Sequence, residues 1–246
     1  AMPERPRTIS GHAGQPSGSW GPYRSIRAFA SLLLVAVVAA VSSPLRAQGL
    51  DPAPWVGQSL DGLRCTGRAT GYGPYDYTNP AHRAHSLAKV EGAHFNANVE
   101  SMRGGAKPNH SFIGDLEYTL SAFPNHHRAL YTRIRLEFKE DRRKKTLGSP
   151  PPECWLQRAA RFAPHDGTVP LLYGLYLHRR GMHEKALAKY DEAESMLEVS
   201  GELFYNKGLL LFEMRRYEDA RAYADKARSA GYPLPALNQK LSAAGY

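Results

Sequence analysis

In the stretch GELFYNKGLLLFEMRRYEDARAYADKARSAGYP, residues 201 to 233, apolar and small residues alternate with polar ones in a helical rhythm. A shift of 34 residues (208 − 174) lays this stretch on the preceding one: Gly208 falls on Gly174, Leu211 on Leu177, Ala220 on Ala186 and Ala227 on Ala193. Self-similarity at one fixed interval is the mark of stacked helix-turn-helix units, and an ordinary bundle has no reason to reproduce it. Glycine and alanine at matching places suit the crossing of two antiparallel helices, whose axes approach to roughly 8–10 Å. Between them, RRGMHEKA and EMRRYEDA carry polar residues suited to a turn and a new helix start. The pattern predicts an all-α chain built of helix, tight turn, helix.

The residues that carry the rhythm also carry a resemblance. Through Gly174, Leu177, Ala186, Tyr190 and Ala193 in one unit, and Phe204, Gly208, Leu211, Tyr217, Ala220, Ala227 and Pro233 in the next, the chain resembles the tetratricopeptide-repeat family. The match covers about 70 residues, as units 167–200 and 201–234. It implies a short right-handed α-solenoid in which the first helix of each pair lines a concave groove for an extended peptide or a partner helix. In the family's register the groove residues are Leu171, Leu175, His178 and Arg179, followed by Tyr205, Asn206, Leu209 and Phe212. Asn206 matches an asparagine that clamps a partner's C-terminal carboxylate in some members. Thr168 and Glu202 stand where that clamp needs lysines, so a carboxylate clamp is disfavoured.

Earlier in the chain the pattern degenerates. Residues 114–166 read as repeat-like helices, PNHHRALYTRIRLEFKED giving a first helix and PECWLQRAARFAP a second, across a long basic loop. GDLEYTLSAFP reads as the last helix of a still earlier pair. Residues 235–246 read as a capping helix, which an array needs to cover its apolar end. The words YGPYDYTNP, VEGAHFNANVE and DLEYTLSAFPNHHRAL resemble an uncharacterised group of exported bacterial tetratricopeptide proteins, which implies a cell type and no known activity.

Residues 1–47 look unlike the rest. A basic flank, the apolar run AFASLLLVAVVAAV and a small residue at Ala47 form the pattern of a leader and signal peptide. The run is shorter than the roughly 20 residues of a membrane span, and Leu45-Arg46-Ala47 is a poor cleavage site, which keeps an uncleaved signal anchor as the alternative. The expectation is an exported protein of the periplasm of a Gram-negative bacterium, without stable membrane insertion of the mature domain.

Charge and cysteines refine this picture. The chain's +9 includes Arg5, Arg7, Arg24, Arg27 and Arg46 against Glu4, a net +4, which leaves +5 for the remainder. The positive charge peaks at Arg142, Arg143, Lys144 and Lys145, a solvated loop or a contact for an anionic surface. The run lacks interleaved aromatic residues, so nucleic acid is not expected as a partner. Two cysteines, Cys65 and Cys154, suggest one bridge in an oxidising compartment, tying the non-repeat segment to the helices.

Residues 48–113 are rich in Gly, Tyr and Pro and read as irregular turns followed by one or two short helices. Histidines are the feature there that supports chemistry. His82, His85, His94, His126 and His127 are weak metal candidates: His82 and His85 are three apart, His126 and His127 point about 100° apart on a helix, and His110 lies nearby. His183-Glu184 lacks the second histidine of a metalloprotease helix, since Leu187 follows. Acidic groups such as Asp115/Glu117 and Asp191/Glu192/Glu194 have the spacing of solvated helix faces. No nucleophile or phosphate-loop pattern is present, so the expectation is a scaffold for a protein or peptide partner, not an enzyme, with no cofactor. The alternatives are a metal or small-ligand site in the Tyr/His segment, and anionic-surface binding through the basic loop.

Overall fold

The computed structural model of the chain describes residues 51–69, 71–139, 148–232 and 234–246. The expected leader and signal at 1–47, the basic loop Arg142 to Lys145, and Pro233 lie outside the described residues. Among the described residues the structure is all-helical, apart from one isolated antiparallel bridge between Gln58 and Arg64.

Among the described residues ten helices follow one another, packed in contacts between neighbours. The first, α1, joins Pro80–His82, a π-helical turn Arg83–Leu87, and Ala88–His94. After it come α2 (Ala97–Glu100), α3 (Phe112–Ala122), α4 (His127–Glu137), α5 (Pro152–Phe162), α6 (Thr168–Arg179), α7 (His183–Met196), α8 (Gly201–Glu213), α9 (Tyr217–Ser229) and α10 (Ala236–Ala243). Side chains that accept from orphan backbone N–H groups start several of them: Asn79 for α1, Asn96 for α2, Ser111 for α3 and Ser200 for α8. Helix α4 is capped by a histidine, whose Nδ1 accepts from the N–H of Ala129 at 3.2 Å.

The tight turns between paired helices recur. After α6 the N–H of Met182 donates to Leu177 and Gly181 takes φ 71°. After α8 the N–H of Arg216 donates to Leu211 and Arg215 takes φ 61°. Both are left-handed helix stops, which glycine adopts freely and arginine adopts at a cost. At the crossing of α6 and α7, a Cβ on Gly174 would come within 2.5 Å of the Tyr190 ring, so only glycine lets these helices meet.

The core passes from pair to pair. One cluster joins Phe95, Leu116, Leu130, Ile134, Trp155 and Tyr176 of α1 to α6. A second gathers Leu171, Leu177, Tyr190, Leu203 and Leu210 between α6 and α8, and a third gathers Leu211, Ala220, Ala227, Leu237 and Leu241 between α8 and α10. No element has a core of its own, so each helix pair depends on the next.

Helix α5 holds the irregular segment in place. Its Glu153 accepts from the N–H of Leu60 at 2.8 Å and from the hydroxyl of Tyr176 at 2.7 Å. Gln157 pairs with the backbone of Gln58, and the buried Arg158 donates Nε–H to the carbonyl of Ala53 at 2.7 Å. Cys154 stands at disulfide-bonding distance from Cys65, with Cα atoms 5.3 Å apart across 89 residues. The expected bridge is thus geometrically in place, one of four anchors on one turn and a half of helix.

Candidate functional site

The eight expected groove residues divide by burial. Leu171 is 4% exposed and packs in the second core cluster; Tyr205 is 8% exposed and packs in the third, its ring 5.3 Å from that of Tyr232. Both hold helices together, which corrects the expectation that they face a groove. Leu175, Asn206, Leu209 and Phe212 are partly buried on α6 and α8, Leu209 and Phe212 against the third core cluster. The Asn206 amide is spent on the carbonyl of Glu202, at 2.9 Å, one turn back in its own helix.

His178 and Arg179 join the first helices of successive pairs. His178 Nε2–H donates to Glu213 on α8 at 3.0 Å, which leaves Nδ1 to accept from the Tyr190 hydroxyl at 3.4 Å. Burial pushes the imidazole's pKa down, against the pull of Glu213, so the neutral ring is favoured. The Arg179 guanidinium lies over the Phe138 ring just after α4, 4.1 Å from its centroid. Helices α4, α6 and α8 therefore sit side by side, with side-chain links between them.

The Tyr-rich words of the N-terminal segment are engaged elsewhere. Tyr75 and Tyr77 pack with Val90, Ala122 and Phe123 at the start of the helix array. Asn125, fully buried, donates to Asp76 at 2.8 Å and to Asp166 at 2.9 Å, and accepts from the N–H of Tyr77 at 2.9 Å. One amide thus ties the YGPYDY segment to the α3–α4 turn and to the start of α6. Asp166 also accepts from His127 Nε2–H at 2.8 Å.

The histidines do not form the set that adjacency in sequence suggests. His82 uses Nδ1 to accept from the N–H of Asp76 at 3.0 Å, and His85 is exposed. His126 is fully buried: with Nδ1 capping α4, its Nε2–H donates to Glu91 at 3.0 Å, while burial lowers its pKa. His127 turns to Asp166 instead. A metal set drawn from these four is not assembled.

His94 alone of the expected candidates has a partner histidine, His110, and they meet at Asp115. His94 Nδ1 is 2.7 Å and His110 Nδ1 is 3.1 Å from Asp115 Oδ1, and Oδ2 accepts from the N–H of Ala106 at 2.7 Å. Asp115 is 4% exposed, which corrects its reading as part of a solvated acidic pair. Burial works against its charge, yet these N–H donors hold its pKa below the usual carboxylate range. Its companion Glu117 has one buried oxygen without a hydrogen-bond partner, as Trp155 has a buried unpartnered Nε1–H; both residues line a cleft of about 590 Å³. Asp191 and Glu194 are a different case. Glu194 accepts from Lys207, Tyr223 and Lys226, which, against the cost of burial, hold its pKa down to about 2.

A further cleft, of about 870 Å³, opens between residues 57–60 and helices α5, α6 and α7, with Arg64, Lys185 and Lys189 in its wall. No described helix is long and apolar enough to cross a membrane. Comparison of the chain with known protein families, with curated proteins and with solved structures finds no match in any of the three.

Proposed function

We propose that the chain is a short α-solenoid of the tetratricopeptide type that holds a protein or peptide partner along its row of first helices. The carrying observation is that α4 contacts α6 and α6 contacts α8, whereas α5, α7 and α9 make fewer contacts with one another among the described residues. Helices that close up on one side and spread on the other curve the array, with the first helices inside. Leu175, Asn206, Leu209 and Phe212 sit partly exposed on that inner row, apolar groups beside a polar one, as a peptide-binding surface requires. The Cys65–Cys154 pair supports an oxidising, extracytoplasmic compartment, in which the protein serves as an accessory or assembly factor for an envelope complex.

The experiment is a pull-down from envelope extract with the parent protein and with a Leu175→Glu/Leu209→Glu/Phe212→Glu variant. Leu209 and Phe212 are partly buried against the third core cluster, so the loss is read only where circular dichroism shows the variant folded, with Leu175→Glu alone as the milder second variant. The reading expects a specific partner held by the parent and lost by the variant. A partner held equally by both, or none at all, overturns it.

A further inference from the structure

Three ligand-type side chains from separate places in the chain converge at the N-terminal end of α3. His94 ends α1, His110 lies in the loop before α3, and Asp115 is in the first turn of α3. Their nearest ligand atoms all lie within 4.8 Å of one another, and both imidazoles aim Nδ1 at the same oxygen, Asp115 Oδ1. We propose that His94, His110 and Asp115 form a binding site for a divalent transition metal of the zinc class. This assignment stands independently of the groove.

The geometry is close to what a metal needs. Ligands at about 2.0–2.1 Å from a tetrahedral ion are roughly 3.3 Å from each other. The two N···O distances, 2.7 and 3.1 Å, reach that value by opening about 0.6 and 0.2 Å, while the two histidine nitrogens, within 4.8 Å of each other, close up by as much as about 1.5 Å. Without metal, each Nδ1–H donates to the carboxylate. On binding, the two protons pass to Nε2 through solvent, a tautomer change that leaves both rings neutral and frees Nδ1 lone pairs for the ion.

The surroundings hold the three groups in place. Asp115 Oδ2 is fixed by the Ala106 N–H, and the Ala106 carbonyl is fixed by the Asn96 side-chain amide at 2.8 Å. Gly105 lies so close to His110 that a Cβ there would be 2.3 Å from the His110 carbonyl oxygen, so the loop is drawn tight where the ligand is presented. The Tyr118 ring stacks on His94 with centroids 3.9 Å apart and sets the imidazole plane. Such supporting contacts orient metal ligands and tune their basicity.

One side of the cluster is open. The side chains of His94 and His110 are 24% and 35% exposed, against 5% for Asp115, so the ion enters from solvent along the imidazoles. A shallow cleft of about 390 Å³, walled by Tyr72, Lys89, His94 and Tyr118, adjoins the site. Three protein ligands leave a position for water or a small anion. Two nitrogen donors and one oxygen donor favour zinc, copper, nickel or cobalt over calcium or magnesium, which take all-oxygen shells.

The test is calorimetric titration of Zn²⁺ into full-length protein stripped with chelator, alongside Co²⁺ visible absorption. One equivalent should bind saturably with a micromolar or tighter Kd, weakened at least about 10-fold in His110→Ala and in Asp115→Asn. His85→Ala should bind as the parent does. His110 is exposed enough that His110→Ala should keep the parent's circular dichroism, which separates ligand loss from misfolding. Absence of a one-equivalent site in the parent, or unchanged affinity and unchanged Co²⁺ bands in folded His110→Ala, overturns the assignment.

Discussion

The two ends of the described chain are held together by different physics. From α6 to α10, helices meet through small residues and apolar side chains repeated at a fixed interval: Gly174 against Tyr190, then Ala186, Ala193, Ala220 and Ala227 in the cores. From residue 51 to α5, the helices share an apolar cluster, but the irregular segments are tied to them by polar anchors that reach far along the sequence, such as Arg158 to Ala53, Glu153 to Leu60 and Asn125 to Asp76. A repeat array gains stability from many equivalent neighbour contacts, so no one contact dominates. An irregular segment without a core of its own depends on a few contacts, each of which costs much when removed.

The sharpest break in this comparison comes from Cys154→Ser, or from reduction. A bridge closing a loop of 89 residues contributes about 4–5 kcal/mol by chain entropy. The expected result is a fall of about 10 °C or more in Tm. Limited proteolysis should cut first within residues 51–69, with α6 to α10 protected; simultaneous cutting of both regions would deny that they differ.

Acid should separate the two regions next. His126 in the first and His178 in the second have folded pKa values lowered by burial, so the unfolded chain takes up protons that the folded chain refuses. Stability therefore falls in both regions as pH drops below about 6.5, the ordinary histidine value. Asp76, Glu91, Glu100 and Asp115 are held below their ordinary values in the first region, but Glu194 alone, at about 2, among the lowered carboxylates of the second. Their contribution is present above the ordinary carboxylate range and is lost as pH falls through the folded values. Hydrogen exchange at pH 7, 5 and 3.5 should show residues 51–139 opening first.

Paired substitutions then compare single contacts. Asn125→Ala removes a fully buried amide from three partners in two segments, Asp76 and Tyr77 in one and Asp166 in the other, and should cost about 3 kcal/mol in urea unfolding. Glu194→Gln leaves Lys207 its second partner, Asp191, on a partly solvated face, and should cost about 1 kcal/mol. Equal costs would refute the contrast between irreplaceable and shared contacts.

Within the repeats, Gly174→Ala drives a Cβ into the buried Tyr190 ring, and the clash outweighs the helix-propensity gain, for a net cost of about 1–2 kcal/mol. Gly208→Ala meets the tip of Leu237 at 2.6 Å, on the terminal helix, which yields more readily; the net change should be within about 0.5 kcal/mol. A small gain is expected at the next turn: Arg215→Gly relieves the left-handed residue between α8 and α9 and should stabilise by about 0.5–1 kcal/mol.

Helices were legible wherever their cause was local. The segments expected at 114–124, 124–141 and 152–164 overlap α3, α4 and α5, and the C-terminal segment holds α10, because periodicity and flanking prolines act within one or two turns. Leu171 and Tyr205 show the limit of that reading. Both lie on a first helix at groove positions of the family register, yet the next helix and α10 cover them, a fact of packing rather than of periodicity.

The histidine cluster was less legible still. Asp115 looked like half of a solvated pair with Glu117, since spacing along one helix says nothing about a loop folding over its first turn. The signals present were local: Ser111 as a helix start, His110 just before it and Gly105 in the loop. None of them points to His94, 21 residues away.

By itself, then, the sequence determined an all-helical chain, the interval of its C-terminal pairs and one cysteine pair suited to a bridge, because helix period, turn chemistry and composition are short-range or additive properties. Only the tertiary structure decided which polar residues would be buried. Asn125 among two aspartates, His126 beneath Glu91, Arg158 under Ala53 and the meeting of His94, His110 and Asp115 all depend on contacts across tens of residues, where chain closure, and not local preference, selects the partner.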